Sequence, residues 1–140
     1  MKVKVYFDTD PSFNCTRIEY PDANGNFIAT PPTASDIHEV DMSNIPTDRT
    51  FRAALMPDLS TDMPKARAIH MDRIRAVRNA ELEKLDVPQM TANSKGDLVT
   101  ASAIETQKQK LRDLPQTFDL TNATTPQALK ILWPPELPKE

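Results

Sequence analysis

The sequence predicts an α+β protein: a small N-terminal antiparallel β-meander, then a helical hairpin or three-helix region, then an extended Pro-rich C-terminus. Three observations predict it. Lys2-Val3-Lys4-Val5-Tyr6-Phe7 alternates polar and apolar residues, the period of a half-buried strand. Between Met63 and Leu85 there is no Gly, and Pro64 stands at the start, where a missing N–H costs nothing. Thirteen Pro stand against two Gly in 140 residues, so whatever is not helix is stiff and extended.

Taken in order, Asp8-Thr9-Asp10-Pro11 ends the first strand with turn chemistry, and Thr16-Arg17-Ile18-Glu19-Tyr20 alternates again. Pro21 to Asn26 contains Asn24-Gly25, suited to the positive φ angles of a hairpin loop, and Phe27-Ile28-Ala29 is expected to return as a short strand. Residues 30–50 read as an acidic connector stiffened by Pro31, Pro32 and Pro46, and Ile37-His38-Glu39-Val40 has the composition of a further short strand. Arg49 to Leu55 is either a last strand or the segment that docks the meander onto the helices. Residues 1–60 thus form a β-rich docking region, residues 61–115 the helical region, and residues 116–140 a short helix and tail.

In the first long helix Ala66, Ile69, His70, Ile74, Ala76, Val77 and Ala80 fall on one side at 100° per residue, with Leu85 at the margin. Helix resumes at Val87 with Asp86 as its cap, Gly96 suits the left-handed residue after a helix, and Ala101, Ile104, Leu111 and Leu114 mark a third helix ended by Pro115. Thr125-Pro126 is a cap followed by Pro at the first helical position, opening a short helix that Pro134-Pro135 stops.

Net charge is −3 and uneven: −4 over residues 1–60, +2 over 61–115 and −1 beyond. No part is basic enough to suggest nucleic acid, which typically needs a Lys/Arg face with pI above about 9. The lone Cys15 excludes an intrachain disulfide and a Cys-based zinc site. No apolar run nears the roughly 18–20 residues of a membrane span, and no signal-peptide core opens the chain.

Candidate chemistry is sparse. His38 and His70 lack a second ligand at metal spacing, and His70 is read as structural. Ser60 and Ser102 lack a glycine elbow, and Gly25 and Gly96 stand too far apart for a phosphate loop. Asp8 and Asp10 read as a turn rather than a calcium loop. The expectation is a protein with no enzymatic activity, cofactor or metal. Arg67, Arg75 and Arg78 read as a solvated face, with Asp72–Arg75 and Arg78–Glu81 at i,i+3. Arg73 projects toward the apolar stripe and needs a carboxylate or backbone partner, or a neighbouring protein. From side-chain type and placement, Phe27, Phe51, Arg73 and Trp133 are the candidate interface residues.

Asp48-Arg49-Thr50-Phe51-Arg52, Asp62-Met63-Pro64-Lys65-Ala66-Arg67-Ala68-Ile69-His70 and Asp72-Arg73-Ile74-Arg75 together resemble a family of small phage and prophage proteins. That family is encoded among tail genes, usually near tail-fibre or baseplate genes. The likeness continues at Leu82, Leu85-Asp86-Val87, Met90, Gly96-Asp97, Lys108 to Asp113 and Thr125 to Lys130. Arg112-Asp113-Leu114-Pro115 with Trp133-Pro134 also resembles the C-terminal signature of phage tail assembly chaperones. The resemblance covers roughly residues 48–134 and brings no catalytic site. It implies a virion protein, made in the host cytoplasm, that packs on other tail, fibre or baseplate proteins and possibly on itself. A chaperone absent from the mature virion is the alternative, and a host-interaction protein a third. Neither nucleic acid nor membrane is an expected partner.

Overall fold

The computed structural model describes residues 1–139, which divide into two compact units, Met1–Ala66 and the chain from Arg67 onward. The first unit carries a three-stranded antiparallel sheet of β1 (Lys2–Asp8), β2 (Cys15–Glu19) and β3 (Ala34–Asp41), in the order β2-β1-β3. The N-terminal strand is therefore central, and Val3, Val5, Tyr6 and Asp8 are all buried. Val5 pairs with Ile18 on one side and His38 on the other, and Val3 with Val40, so one face of the sheet is largely apolar. The opposite face carries Lys4, Tyr6 and Asp8 against Glu19, Arg17 and Cys15.

The predicted meander is partly redrawn. Phe27-Ile28-Ala29 is not a strand, and the connector supplies the third strand, eight residues long. The Asn24-Gly25 turn closes as expected, with Gly25 at φ +81° and Asp22 Oδ1 accepting from Asn24 and Asn26 N–H. It turns the chain within a loop rather than between two strands. Opposite Tyr6, β3 holds both Asp36 and Ile37, a bulge in which Asp36 takes φ +49°. Arg49–Leu55 is not a strand either. A short 3-10 turn, Arg52–Ala54, buries Phe51, Ala54 and Leu55, and a single bridge joins Leu55 to Thr61.

The helices are α1 (Met63–Lys84), α2 (Asp86–Ser94), α3 (Leu98–Thr117) and α4 (Pro126–Ile131). Asp62 accepts from the Lys65 N–H at the start of α1. Continuing α1 would bring the Pro88 ring against the Lys84 carbonyl, and the helix stops at Lys84. In α2, Pro88 falls in the first turn, where no N–H is needed. The cap position is Leu85, and Asp86 is the first helical residue, not the cap. Gly96 (φ +70°) turns the chain into α3, which Asp97 caps through the Thr100 N–H. Helix α3 runs two residues past Pro115, where the Thr117 hydroxyl and the Phe118 N–H serve the Asp113 and Leu114 carbonyls. Thr125 and Pro126 open α4 as the sequence predicts.

In the second unit His70, Ile74, Leu111, Leu114, Leu120, Ala123, Leu129 and Leu137 are buried. The apolar stripe of α1 ends earlier than its sequence suggests: Ala76 and Ala80 are exposed and Val77 is half-buried. From residue 75 to residue 110 only Ala92, Ala101 and Lys108 are buried.

Candidate interaction surfaces

On the polar face of the sheet two carboxylates hold the loop that follows β2. Asp8 is 1% exposed. Its Oδ1 accepts from the Thr33 hydroxyl (2.7 Å) and the Asp10 N–H (3.0 Å), and its Oδ2 from Arg17 Nη1 (3.0 Å). The Thr33 hydrogen bond above all, helped by the Asp10 N–H and Arg17 against the pull of burial, holds Asp8 below the usual carboxylate range. Burial pushes Glu19 upward, but hydrogen bonds from Thr30 and Ala29 and the charge of Lys4 outweigh it, so Glu19 also lies low. The Ala29 N–H donates to Glu19 Oε1 (2.7 Å) and the Thr30 hydroxyl to Glu19 Oε2. Burial, with the charges of Glu19 and Asp8, raises Tyr6 against the opposing effect of Arg17. Every strong acceptor on this face is engaged from within the chain, so the network clamps the loop rather than awaiting a ligand.

In the second unit the chain end is tied to α1. His70, 3% exposed, donates from Nε2 to the Leu132 carbonyl (2.8 Å), and its ring meets the Trp133 ring edge-on at 5.7 Å. The Trp133 indole N–H donates to the Pro138 carbonyl (3.0 Å), while Pro134 and Leu137 are buried. Arg67 leaves the solvated set expected of it, since its Nη2 donates to the Ala123 carbonyl (2.9 Å). Arg75 pairs with Asp72 as expected, but Arg78 donates to Asn79 and Glu81 pairs with Lys84.

The four candidate interface residues are divided between the two units, two in each. Phe51 is buried in the first unit, and Phe27, half-buried there, lies under Lys4 Nζ at 4.6 Å. Arg73 and Trp133 are half-buried in the second unit, and neither lacks a partner within the chain.

Ile28 and Ile131 are each 81% exposed, but the densest run of outward-facing apolar side chains was not conspicuous in the sequence. Val87 is 70% exposed, Met90 68%, Leu98 74% and Val99 82%, all in the α2–α3 hairpin. Lys108 went unremarked as well. It is buried at the hairpin seam, with Nζ 2.5 Å from Asp86 Oδ1 and 2.6 Å from Gln89 Oε1. A lysine at the expected phase of an apolar stripe, with an Asp at the start of the preceding helix, was the only available signal.

Among the described residues no group of three or more His, Cys, Asp or Glu could hold a metal ion, and no helix is long and apolar enough to cross a membrane. No family model, curated protein or solved structure matches the chain.

Proposed function

We propose that this chain is a non-enzymatic structural or adaptor protein of a bacteriophage tail, which packs on tail, baseplate or fibre proteins and resides in the virion. The phage assignment rests on the resemblance across residues 48–134. The observation that carries the binding role is the contrast between committed ionisable groups and uncommitted apolar ones. The buried Asp8, Glu19, His70 and Lys108 are each hydrogen-bonded inside the chain, whereas Val87, Met90, Leu98 and Val99 lie open. Such residues gain from burial against another protein. Pro-rich, Gly-poor segments also lose less entropy when ordered against a partner.

Mass spectrometry with cross-linking on purified particles of the encoding phage tests the reading. Stoichiometric presence, cross-linked to a tail, fibre or baseplate protein, supports it. Absence from particles, with recovery bound to unassembled fibre or tail subunits, replaces it with the assembly-chaperone reading. Recovery bound only to host proteins overturns both.

A further inference from the structure

The loop between β2 and β3 holds the chain's single Asn-Gly pair, Asn24-Gly25, and both residues are exposed. Asparagine before glycine is the pairing most prone to lose its side-chain amide, because glycine has no Cβ to hinder attack by its own nitrogen. The step is intramolecular. The Gly25 nitrogen bonds to Asn24 Cγ and gives up its proton, and ammonia leaves as the Cγ–Nδ2 bond breaks. Water then opens the five-membered imide at either carbonyl, leaving aspartate or isoaspartate at position 24.

The folded turn opposes that step in two ways, the first geometric. The Gly25 N–H donates to the Asp22 carbonyl (3.0 Å), closing a four-residue turn, and neither Ala23 nor Asn24 has a positive φ. A hydrogen-bonded turn with both central φ angles negative is type I, in which the third residue keeps ψ at about 0°. The imide ring instead needs Asn24 Cβ and the Gly25 nitrogen eclipsed about the Cα–C bond. Tetrahedral geometry at Cα puts that ψ about 120° away. Reaching it swings the Gly25 N–H off the Asp22 carbonyl and disturbs the contacts beside it. Those are the Asp22 N–H on the Asn26 carbonyl (2.9 Å) and the Asn24 and Asn26 N–H groups on Asp22 Oδ1 (2.8 Å each). The second obstacle is charge. The Asn26 N–H above all, helped by Asn24 against the pull of burial, holds the Asp22 carboxyl below its usual range. Its negative charge at neutral pH resists loss of a proton from the Gly25 nitrogen nearby.

We propose that Asn24 is a deamidation site kept latent by the Asp22 turn, and that it reacts when the turn opens. The inference does not depend on the tail assignment. The change is one-way. Either product adds a negative charge two residues from Asp22, within residues 1–60, which already carry −4. Isoaspartate also adds a methylene to the backbone of the turn, so the Asp22–Gly25 closure is not remade. The same loop is the one that Glu19 clamps through Ala29 and Thr30, so the modification falls on the cover of the sheet's polar face.

Peptide mapping by mass spectrometry, after incubation of the full chain in warm neutral buffer, follows the gain of roughly one mass unit at Asn24. Native protein should convert at least about tenfold more slowly than the same chain in urea, since hydrogen bonds to Asp22 must break first. D22A should bring the native rate toward the urea rate, with the circular dichroism of the sheet unchanged. D22N keeps an oxygen acceptor for Asn24 and Asn26 but loses the charge, so its rate should fall between the parent and D22A. Equal rates in the native and unfolded chain overturn the proposal, and that comparison needs no variant. A folded D22A that converts at the parental rate, a D22N as fast as D22A, or no conversion at Asn24 in urea overturns it as well.

Discussion

The central strand of the sheet and the α2–α3 hairpin fold by different means. In β1, apolar Val3 and Val5 fill one face while Asp8 on the other is saturated by hydrogen bonds, so both faces are covered locally. The hairpin buries two alanines and one lysine between Asp86 and Lys110, and its two buried leucines, Leu111 and Leu114, lie in the last turns of α3. Propensity, caps and surface ion pairs hold the hairpin, each worth about 1 kcal/mol or less. The difference teaches where each region can change. The buried positions of the strand tolerate little change, whereas the exposed positions of the hairpin can be rewritten or recruited by a partner at little cost.

The sharpest way to break that contrast is to delete side chains of similar chemistry from the covered and the open parts of the helical unit. Ile74→Ala removes a fully buried side chain and should destabilise by about 2–5 kcal/mol. Val99→Ala, 82% exposed in the hairpin, should stay within about 0.5 kcal/mol. Both are measured by urea unfolding. Equal losses would mean that the hairpin is packed as tightly as the core.

A second prediction concerns pH. Asp8 and Glu19 are both depressed, so they stabilise the sheet unit fully above the ordinary carboxylate pKa of about 4. That contribution is lost as pH falls through their lowered values. Asp8→Asn should lower the melting temperature at pH 7 by less than Ile74→Ala does, since an amide carbonyl still accepts one hydrogen bond. It should also make the acid-side decline of the parent protein shallower. Melting curves from pH 7 down to about 2 decide this, and an unchanged acid slope would show that the carboxylate is not the titrating group.

Effects of about 1 kcal/mol belong to the α2–α3 turn. Asp97→Ala removes the cap hydrogen bond to Thr100 and should cost about 1 kcal/mol. Gly96→Ala meets no atom within 4 Å, so its cost is purely that of a left-handed backbone, about 1 kcal/mol. Amide hydrogen exchange should register both as faster opening of residues 86–100, with β1 untouched. Faster exchange in β1 as well would join the two regions into one cooperative unit.

Much of the fold is legible locally. Alternation in residues 2–7, the Thr125-Pro126 start, Gly96 after α2 and the break before Pro88 each act through steric or hydrogen-bond rules that span four or five residues. The same holds for the burial of His70, which its place on the stripe announces. What was missed depends on residues far apart in the chain. Phe27 to Ala29 has strand composition, but Glu19 takes the Ala29 N–H and holds the segment as a loop. Arg67 reads as solvated until Ala123, fifty-six residues on, presents a carbonyl. Exposure is settled in the same way: Phe51 and Trp133 look like anchors by type, yet the chain's own packing engages them, while Val87 and Met90 look unremarkable and remain open.

By itself, then, the sequence determined the element types, most of their ends and the uneven charge, because those follow from backbone sterics, capping and periodicity within a few residues. Only the tertiary structure decided that β1 is the central strand, that the connector completes the sheet, and which apolar side chains are left over. Burial is settled by which distant segments meet, and a one-dimensional pattern records that a face is apolar without recording what covers it.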